Sequence, residues 1–166
     1  MATSDDRGVR HLTDTFTEEL RNAGIYGNEH VVTYENSLNT LYGASCRALY
    51  ILRLLGHPRV SVLGGGYEGW VQDGHHTSSE IQQTVRGSFQ PKWTPSMWKG
   101  KTDVAEAMGD PNTVLLDVIV YCFKGARASN TYLALKDAGF ENVSNYFASW
   151  NEWSRDDKLE IDSKLL

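Results

Sequence analysis

The order of apolar and polar positions predicts a strand, a helix and a second strand in the first half of the chain. A β-branched run at Val31 to Tyr34 is typical of a strand, and a helical pattern extends from about Ala44 to Leu55. Gly56 follows as the residue that ends the helix, and Arg59 to Leu63 forms a second β-rich segment. This order predicts parallel strands joined by a right-handed crossover.

A second copy of the same pattern follows later in the chain. The segment from Gly139 to Trp153 is as long as the one from Gly56 to Trp70, and "VIVY" corresponds to "VVTY". The sequence therefore predicts an α/β fold with short parallel strands flanked by helices, in two repeat-related halves, residues 1–87 and 88–166. The polar stretch 72–101 is predicted to be the linker between the copies.

The second copy lacks a turn where one would be needed to separate two strands. "TVLLD" passes directly into "VIVYC", and neighbouring parallel strands need a connection of about a dozen residues or more. Residues 113–121 are therefore predicted to form one long strand, or a strand with a kink near Asp117. The helix that follows is expected to be capped by Ser129 and Asn130.

Composition narrows the classes of partner. The chain has 166 residues, 40% of them apolar, and a formal net charge of −5. Its basic residues form no stripe, so a nucleic-acid backbone or an anionic membrane is not expected as the main partner. No apolar run approaches the roughly 20 residues of a membrane span, and the polar opening lacks a signal sequence, which together predict a cytoplasmic protein.

Cys122 stands where chemistry is expected in a parallel α/β sheet. It follows the second-copy strand and comes just before a helix, and ligands of such sheets bind outside the carboxyl ends of the strands. Gly125 permits a tight loop whose N–H groups converge on an anion, and the helix N-terminus adds partial positive charge. With Lys124 and Arg127 in the same loop, the thiol of Cys122 is predicted to ionise near neutral pH.

The loop residues also limit the type of reaction. None of the residues from Phe123 to Arg127 is a histidine or a carboxylate, which favours sulfur attacking sulfur over hydrolysis with a proton shuttle. The first copy has Glu35 where the second has Cys122, so one copy alone carries the thiol. The alternative is that Cys122 is a small buried hydrophobe.

Two other features favour structural explanations. Cys46 lies in the amphipathic helical run of the first copy, so helix packing is expected of it rather than redox chemistry. His75 and His76 are adjacent in a polar stretch, without the spacing of a metal site, so no metal ligand is predicted there.

Three segments together identify a family resemblance. "YCFKGARAS" and "GFENVSNYFASWNEW" resemble the active-site loop and the closing segment of rhodanese-type sulfurtransferases, and "LGHPRVSVLGGGYEGW" is similar to part of their inactive N-terminal domain. The resemblance implies that Cys122 carries a persulfide, with sulfur taken from a small anionic donor and passed to cyanide or a thiol. The reaction implied by this resemblance requires no cofactor. The residues that would form the cradle around the sulfur are Phe123, Lys124, Gly125, Ala126, Arg127 and Ala128.

Loop length and charge refine the resemblance. Four residues separate Cys122 from Arg127, whereas the phosphatase and arsenate-reductase relatives of the family have five. A cysteine phosphatase is therefore the less favoured alternative. The basic loop is similar to that of thiosulfate-using members, because a dianionic donor gains from Lys124 and Arg127, while 3-mercaptopyruvate-using members tend to have small neutral residues there.

The chain also departs from the family pattern. The Asp-x-Arg strand and the Gly-His-Ile-Pro-Gly-Ala loop that usually precede the cysteine strand are absent before Cys122, and the first copy lacks the Gly-His-Ile-Pro loop as well. The resemblance implies a tandem rhodanese without the opening segments of either domain. Uncovered strand edges and apolar faces would then favour self-association. A catalytically silent rhodanese-like binding module is the alternative from a different functional class.

Overall fold

The computed structural model describes residues 3–37, 43–109 and 118–161. The chain forms two compact units, which we call the first unit (Arg10–Pro95) and the second unit (Met1–Val9 with Ser96–Leu166). Each contains a short parallel sheet with helices beside it. The predicted α/β fold is therefore confirmed.

The first unit contains the predicted strand, helix and strand. The elements are β1 (Val31–Thr33), α2 (Ala44–Leu54) and β2 (Val60–Val62), followed by the short helix α3 (Gly66–Gln72). β1 and β2 pair in parallel, with Val31 opposite Val60. The strand, helix and strand assignments are correct here, because β-branched strands and an uninterrupted apolar helix face leave little choice of local structure.

The end of α2 confirms the role predicted for Gly56. This residue has φ 85°, and its N–H donates to the carbonyl of Arg53 at 2.9 Å. The next residue, His57, donates its N–H to the carbonyl of Leu52 at 2.8 Å. The two bonds satisfy the last turn of the helix in the pattern that a left-handed glycine allows.

The helix α1 (Asp6–Asn22) was not among the elements predicted from the sequence. Its apolar residues recur at Val9, Leu12, Phe16 and Leu20, a spacing that places them on one side of a helix. The high content of charged and threonine residues in this segment hides the pattern. In the described part of the chain, α1 and the other helices fall short of the length and apolar character of a membrane span.

The stretch 72–101, predicted to be a linker, is partly packed against the first unit. Phe89 is 2% exposed. Lys92 and Thr94 donate their N–H groups to the carbonyls of Leu55 and Leu54, each at 2.8 Å. These residues therefore complete the C-terminal end of α2, where orphan helix carbonyls need partners. A 3₁₀ turn at Pro95–Met97 and helix α4 (Lys101–Gly109) follow.

The second unit repeats the arrangement of strand, helix, strand and short helix. Its elements are β3 (Val118–Val120), α5 (Ala126–Asp137), β4 (Val143–Asn145) and α6 (Ser149–Trp153). β3 and β4 are parallel, with Val118 opposite Val143, the same register as in the first unit. Of the strand predicted over residues 113–121, the structure places 118–120 in a strand, and residues 113–117 lie outside the described residues.

A compact core supports the second unit. Tyr146, Ala148 and Trp153 are buried together, and four partly buried apolar residues pack against them, namely Val104, Ala105, Ile119 and Leu159. The hydroxyl of Tyr146 donates to Glu152 at 2.8 Å. This core holds the segment between β4 and α6 in place, and that segment contacts the Cys122 loop.

Candidate functional site

The loop between β3 and α5 turns sharply at Gly125. This residue is the N-cap of α5 and has φ 77°. A β-carbon placed on it would lie 2.5 Å from the carbonyl oxygen of Phe147. Both the backbone angle and the close approach exclude other residues, so glycine is required for the path that the loop takes.

Backbone N–H groups surround the sulfur of Cys122. Its side chain is partly buried, and this burial by itself would raise the pKa of the thiol. Hydrogen bonds from the N–H groups of Ala128, Lys124, Arg127 and Gly125 outweigh that effect and lower the pKa below its ordinary value. The loop therefore favours a thiolate, as a helix N-terminus and a concave arrangement of N–H groups are expected to do.

The predicted cradle residues differ in exposure. Gly125 and Ala128 are buried, Ala126 is partly buried, and three are exposed, namely Phe123, Lys124 and Arg127. The ammonium of Lys124 lies 5.7 Å from the centre of the Phe123 ring. The strongest effects that lower the pKa of Cys122 come from backbone N–H groups, including those of Lys124 and Arg127. Both basic side chains face solvent around the loop.

The segment that begins α6 holds the Cys122 loop through three hydrogen bonds. The N–H of Cys122 donates to the hydroxyl oxygen of Ser149 at 3.1 Å. Trp150 donates its N–H to the carbonyl of Cys122 at 3.0 Å, and Asn151 donates to the carbonyl of Phe123 at 3.1 Å. Ser149 was not singled out from the sequence. The available signal was its correspondence to Gly66 in the first copy.

A buried polar group supports the turn from inside the unit. The side chain of Asn145 is fully buried, and its amide donates to Ser129 Oγ at 3.2 Å and to the carbonyl of Gly125 at 3.4 Å. Ser129 Oγ donates to the same carbonyl at 2.8 Å. Ser129 and Asn130 were predicted to cap the helix, which is wrong. Both lie inside α5, because the left-handed Gly125 allows the helix to begin at Ala126.

The corresponding position in the first unit holds a carboxylate. Glu35 is 5% exposed, and Ser45 donates its hydroxyl to Glu35 Oε1 at 2.9 Å. The N–H of Tyr67 donates to the carbonyl of Glu35 at 3.0 Å, as that of Trp150 does to Cys122. The two copies therefore share a backbone arrangement, and an anionic side chain in one replaces the thiol in the other.

The other cysteine has the opposite environment. Cys46 is buried within the first unit on α2, and burial raises the pKa of its thiol. Both cysteines are free. The burial of Cys46 on α2 confirms the prediction that it packs within the helix. A buried thiol with a raised pKa is a weak nucleophile, which agrees with a structural role.

Comparison with known proteins shows what the second unit of the chain is similar to. A family profile described as a rhodanese-like domain matches residues 115–156, which include the Cys122 loop and Ser149. The thiosulfate sulfurtransferase of Gallus gallus is 31% identical over 103 residues, 61% of this chain and 35% of that protein. The chain has the rhodanese fold, and its residues 115–156 match the rhodanese-like domain.

A second relative of this rhodanese-like chain is the 3-mercaptopyruvate sulfurtransferase of Escherichia coli strain K12. It is 25% identical over 152 residues, 92% of this chain and 52% of that protein. The rhodanese-like chain therefore spans between about a third and a half of the length of these curated relatives. The relatives include proteins named for two different sulfur donors.

Solved structures agree on the fold. The Escherichia coli 3-mercaptopyruvate sulfurtransferase SseA has a TM-score of 0.70 at 22% identity, over 82% of this chain and 72% of that one. A probable thiosulfate sulfurtransferase has a TM-score of 0.67 at 18% identity, over 90% and 79% of the two chains. At these identities the likeness establishes the rhodanese fold and nothing finer.

Proposed function

We propose that this rhodanese-like chain is a sulfurtransferase in which Cys122 is the nucleophile and carries a persulfide. The observation that carries the proposal is the convergence of backbone N–H groups on the sulfur of Cys122, within the segment that matches the family profile. A preformed set of N–H donors stabilises a thiolate and equally a terminal persulfide anion. Sulfurtransferase activity in both named relatives supports this assignment.

The reaction consists of two transfers at sulfur. In the first, the thiolate of Cys122 attacks the outer sulfur of thiosulfate, the sulfur–sulfur bond of the donor breaks, and sulfite leaves with the electron pair. In the second, cyanide or a thiolate attacks the terminal sulfur of the persulfide, and the Cys122 thiolate is regenerated. Neither transfer needs a proton to be moved, which fits a loop without a histidine or carboxylate.

The cradle residues have distinct roles in this proposal. Lys124, Gly125, Arg127 and Ala128 supply N–H groups to the sulfur, and Phe123 and Ala126 complete the loop. The exposed side chains of Lys124 and Arg127 attract the doubly charged donor as it approaches. We therefore favour thiosulfate as the donor, with 3-mercaptopyruvate, the donor named for the Escherichia coli relative, as the alternative.

Intact mass measurement tests the nucleophile directly. After incubation of the reduced chain with thiosulfate, we expect the mass to increase by one sulfur atom, located on the peptide that contains Cys122. Cyanide should remove the sulfur and release thiocyanate. Cys46 provides an internal control, because burial raises the pKa of its thiol and it should remain unmodified. An adduct that persists in Cys122→Ala would contradict the proposal.

The choice of donor is tested on the same protein. Parallel incubations with thiosulfate and with 3-mercaptopyruvate are compared by the initial rate at which the Cys122 peptide gains sulfur. A faster reaction with thiosulfate supports the role given to Lys124 and Arg127, and a faster reaction with 3-mercaptopyruvate contradicts it. Hydrolysis of an aryl phosphate that is lost in Arg127→Ala would instead favour a cysteine phosphatase.

A binding module without turnover is the second candidate function. In the part of the chain that the structure describes, each sheet has only two strands. In the first unit, Val32, Tyr34, Tyr67 and Trp70 help to line a cavity of about 460 Å³. An apolar surface of this kind favours association with a partner or with a second copy. Thiocyanate formation from thiosulfate and cyanide would exclude a silent module.

The two halves of the chain have different roles in this proposal. We assign residues 1–87 to an inactive rhodanese-like half, with Glu35 in place of the nucleophile, and residues 88–166 to a catalytic half, of which residues 88–95 pack with the first unit. A cytoplasmic setting fits two free cysteines, since a reducing compartment keeps thiols unpaired. Persulfide formation confined to the Cys122 peptide would support the assignment of the catalytic half.

A further inference from the structure

Ser149 has an unfavourable backbone conformation. Among the described residues it is the one non-glycine residue with positive φ, at 54°. It is also fully buried, at the first position of α6. Because L-residues with a side chain are disfavoured in this region, some interaction of the serine side chain must compensate.

The first copy shows what the same turn looks like with glycine. Gly66 has φ 61° and donates its N–H to the carbonyl of Leu63 at 3.1 Å, just as Ser149 donates to Tyr146 at 3.1 Å. A β-carbon on Gly66 would lie 2.5 Å from the carbonyl oxygen of Glu35. In the first unit the backbone at Glu35 therefore packs directly against the turn at Gly66, with no room for a side chain at that position. In the second unit a serine stands at the equivalent position, and its side-chain oxygen accepts the N–H of Cys122.

The hydroxyl of Ser149 links the turn to the reactive loop. Its oxygen accepts the N–H of Cys122 at 3.1 Å, and its hydrogen is donated to the carbonyl of Tyr146 at 2.8 Å. A hydroxyl has one hydrogen to donate and lone pairs to accept, so one side chain can make both bonds. The backbone of Cys122 is thereby tied to the buried segment between β4 and α6.

We infer that Ser149 is a positioning residue that holds the backbone of Cys122 so that the loop N–H groups face its sulfur. The inference rests on the proposed function for its consequence in catalysis, but the geometry concerns the reactivity of the thiol itself. Without the hydroxyl, the first residue of the loop loses its bond to the packed core. The N–H donors would then be less well ordered around the thiolate.

Substitution by glycine separates this role from a purely structural one. Ser149→Gly introduces the residue that the backbone angle favours and that the first copy already contains. We expect its melting temperature to be equal to or higher than that of the wild type. The pKa of Cys122, measured from the pH dependence of its alkylation by iodoacetamide, should rise, because the N–H donors around the thiolate are less well held.

The control removes a hydroxyl from the same unit without disturbing the loop. Ser144 lies in β4 and donates its hydroxyl to the carbonyl of Ser96 at 3.2 Å. Ser144→Ala should leave the alkylation profile of Cys122 unchanged. Peptide mapping distinguishes Cys122 from Cys46, and labelling well below each melting temperature keeps a less stable variant informative.

The alkylation pKa tests the positioning role of Ser149 separately from sulfurtransferase activity. An unchanged alkylation pKa in Ser149→Gly, or a loss of folding on this substitution, would overturn the positioning role. A raised pKa would support it even in a protein that forms no persulfide, in which case the proposed sulfurtransferase function alone would fail. In an active protein assayed below the alkylation pKa of Cys122, we expect the turnover rate of Ser149→Gly to fall by the same factor as the measured thiolate fraction.

Discussion

The α-carbon of Gly125 lies against the carbonyl of Phe147, so close that an added β-carbon would be 2.5 Å from that oxygen. Phe147 is itself fixed, being 1% exposed and stacked with Trp98 at a ring separation of 5.8 Å. The turn that begins α5 and the turn that precedes α6 therefore constrain each other. The shape of the reactive loop depends on this contact between two turns.

Gly125→Ala should disrupt that contact. The β-carbon adds a backbone clash to the strain of φ 77°. We expect a loss of unfolding free energy of about 1–3 kcal/mol from the strained backbone, with a further loss from the clash. We also expect slower alkylation of Cys122, because the N–H groups of Lys124 and Gly125, which help to lower the pKa of the thiol, lie at the turn that would shift. Urea denaturation and iodoacetamide labelling measure the two effects.

Gly139→Ala is the matched control for this variant. Gly139 has φ 93°, but a β-carbon there would have no heavy atom within 4 Å. It therefore tests the positive φ without the clash. Equal losses of stability in the two variants would show that the contact with Phe147 contributes nothing.

The hydrogen bonds that join Asn145, Ser129 and the carbonyl of Gly125 should stabilise the second unit cooperatively. Asn145 and Ser129 both donate to the carbonyl of Gly125, and Asn145 also donates to Ser129. Asn145→Ala and Ser129→Ala should each lower the unfolding free energy by about 0.5–1.5 kcal/mol, because each removes a buried hydrogen bond while the carbonyl of Gly125 keeps its bond from the N–H of Ser129 at 3.0 Å. A double-mutant cycle should give a coupling of about 0.5 kcal/mol or more. Additive effects would refute the shared network.

The basic side chains of the loop should affect donor binding more than thiol ionisation. Lys124 and Arg127 are exposed, whereas the main effects that lower the pKa of Cys122 come from backbone N–H groups. Lys124→Ala and Arg127→Ala should each raise KM for thiosulfate about two- to fivefold, the size expected of an exposed charge pair. Added salt should weaken the difference from the wild type.

The alkylation profile of Cys122 provides the counter-test for these two variants. Because the backbone N–H groups remain after either substitution, the pKa of the thiol should change little. A large rise in that pKa without any change in KM would mean that the side chains act on the sulfur and not on the donor. That result would reverse the roles proposed here.

The lowered pKa of Cys122 predicts how stability changes with pH. Between the native pKa and the ordinary thiol value of about 8.5, the unfolded chain binds more protons than the native one. The unfolding free energy of the reduced wild type, relative to Cys122→Ser, should therefore rise with pH across this window. The contribution of the Cys122 thiolate to the unfolding free energy should be lost as the pH falls through the native pKa of Cys122. Denaturation series at several pH values measure the difference, and a flat difference would contradict a native thiolate.

The sequence by itself determined the secondary structure of both copies and the position of the thiol between a strand and a helix. β-branched runs at Val31–Thr33 and Val118–Val120, and the glycine that ends α2, are local signals that need no tertiary partner. The correspondence of Cys122 with Glu35 likewise follows from aligning the two copies. Helix α1 escaped prediction because its apolar positions are separated by many polar ones.

Only the tertiary structure decided which groups surround Cys122. Ser149 and Asn145 lie more than twenty residues along the chain from it, and their contacts depend on how β4 and α6 pack beside the loop. Nothing local to Ser149 predicts a positive φ, and Ser129 resembles a helix cap until the turn at Gly125 is seen. Hydrogen bonds between distant segments arise from packing, which a pattern of neighbouring residues does not encode.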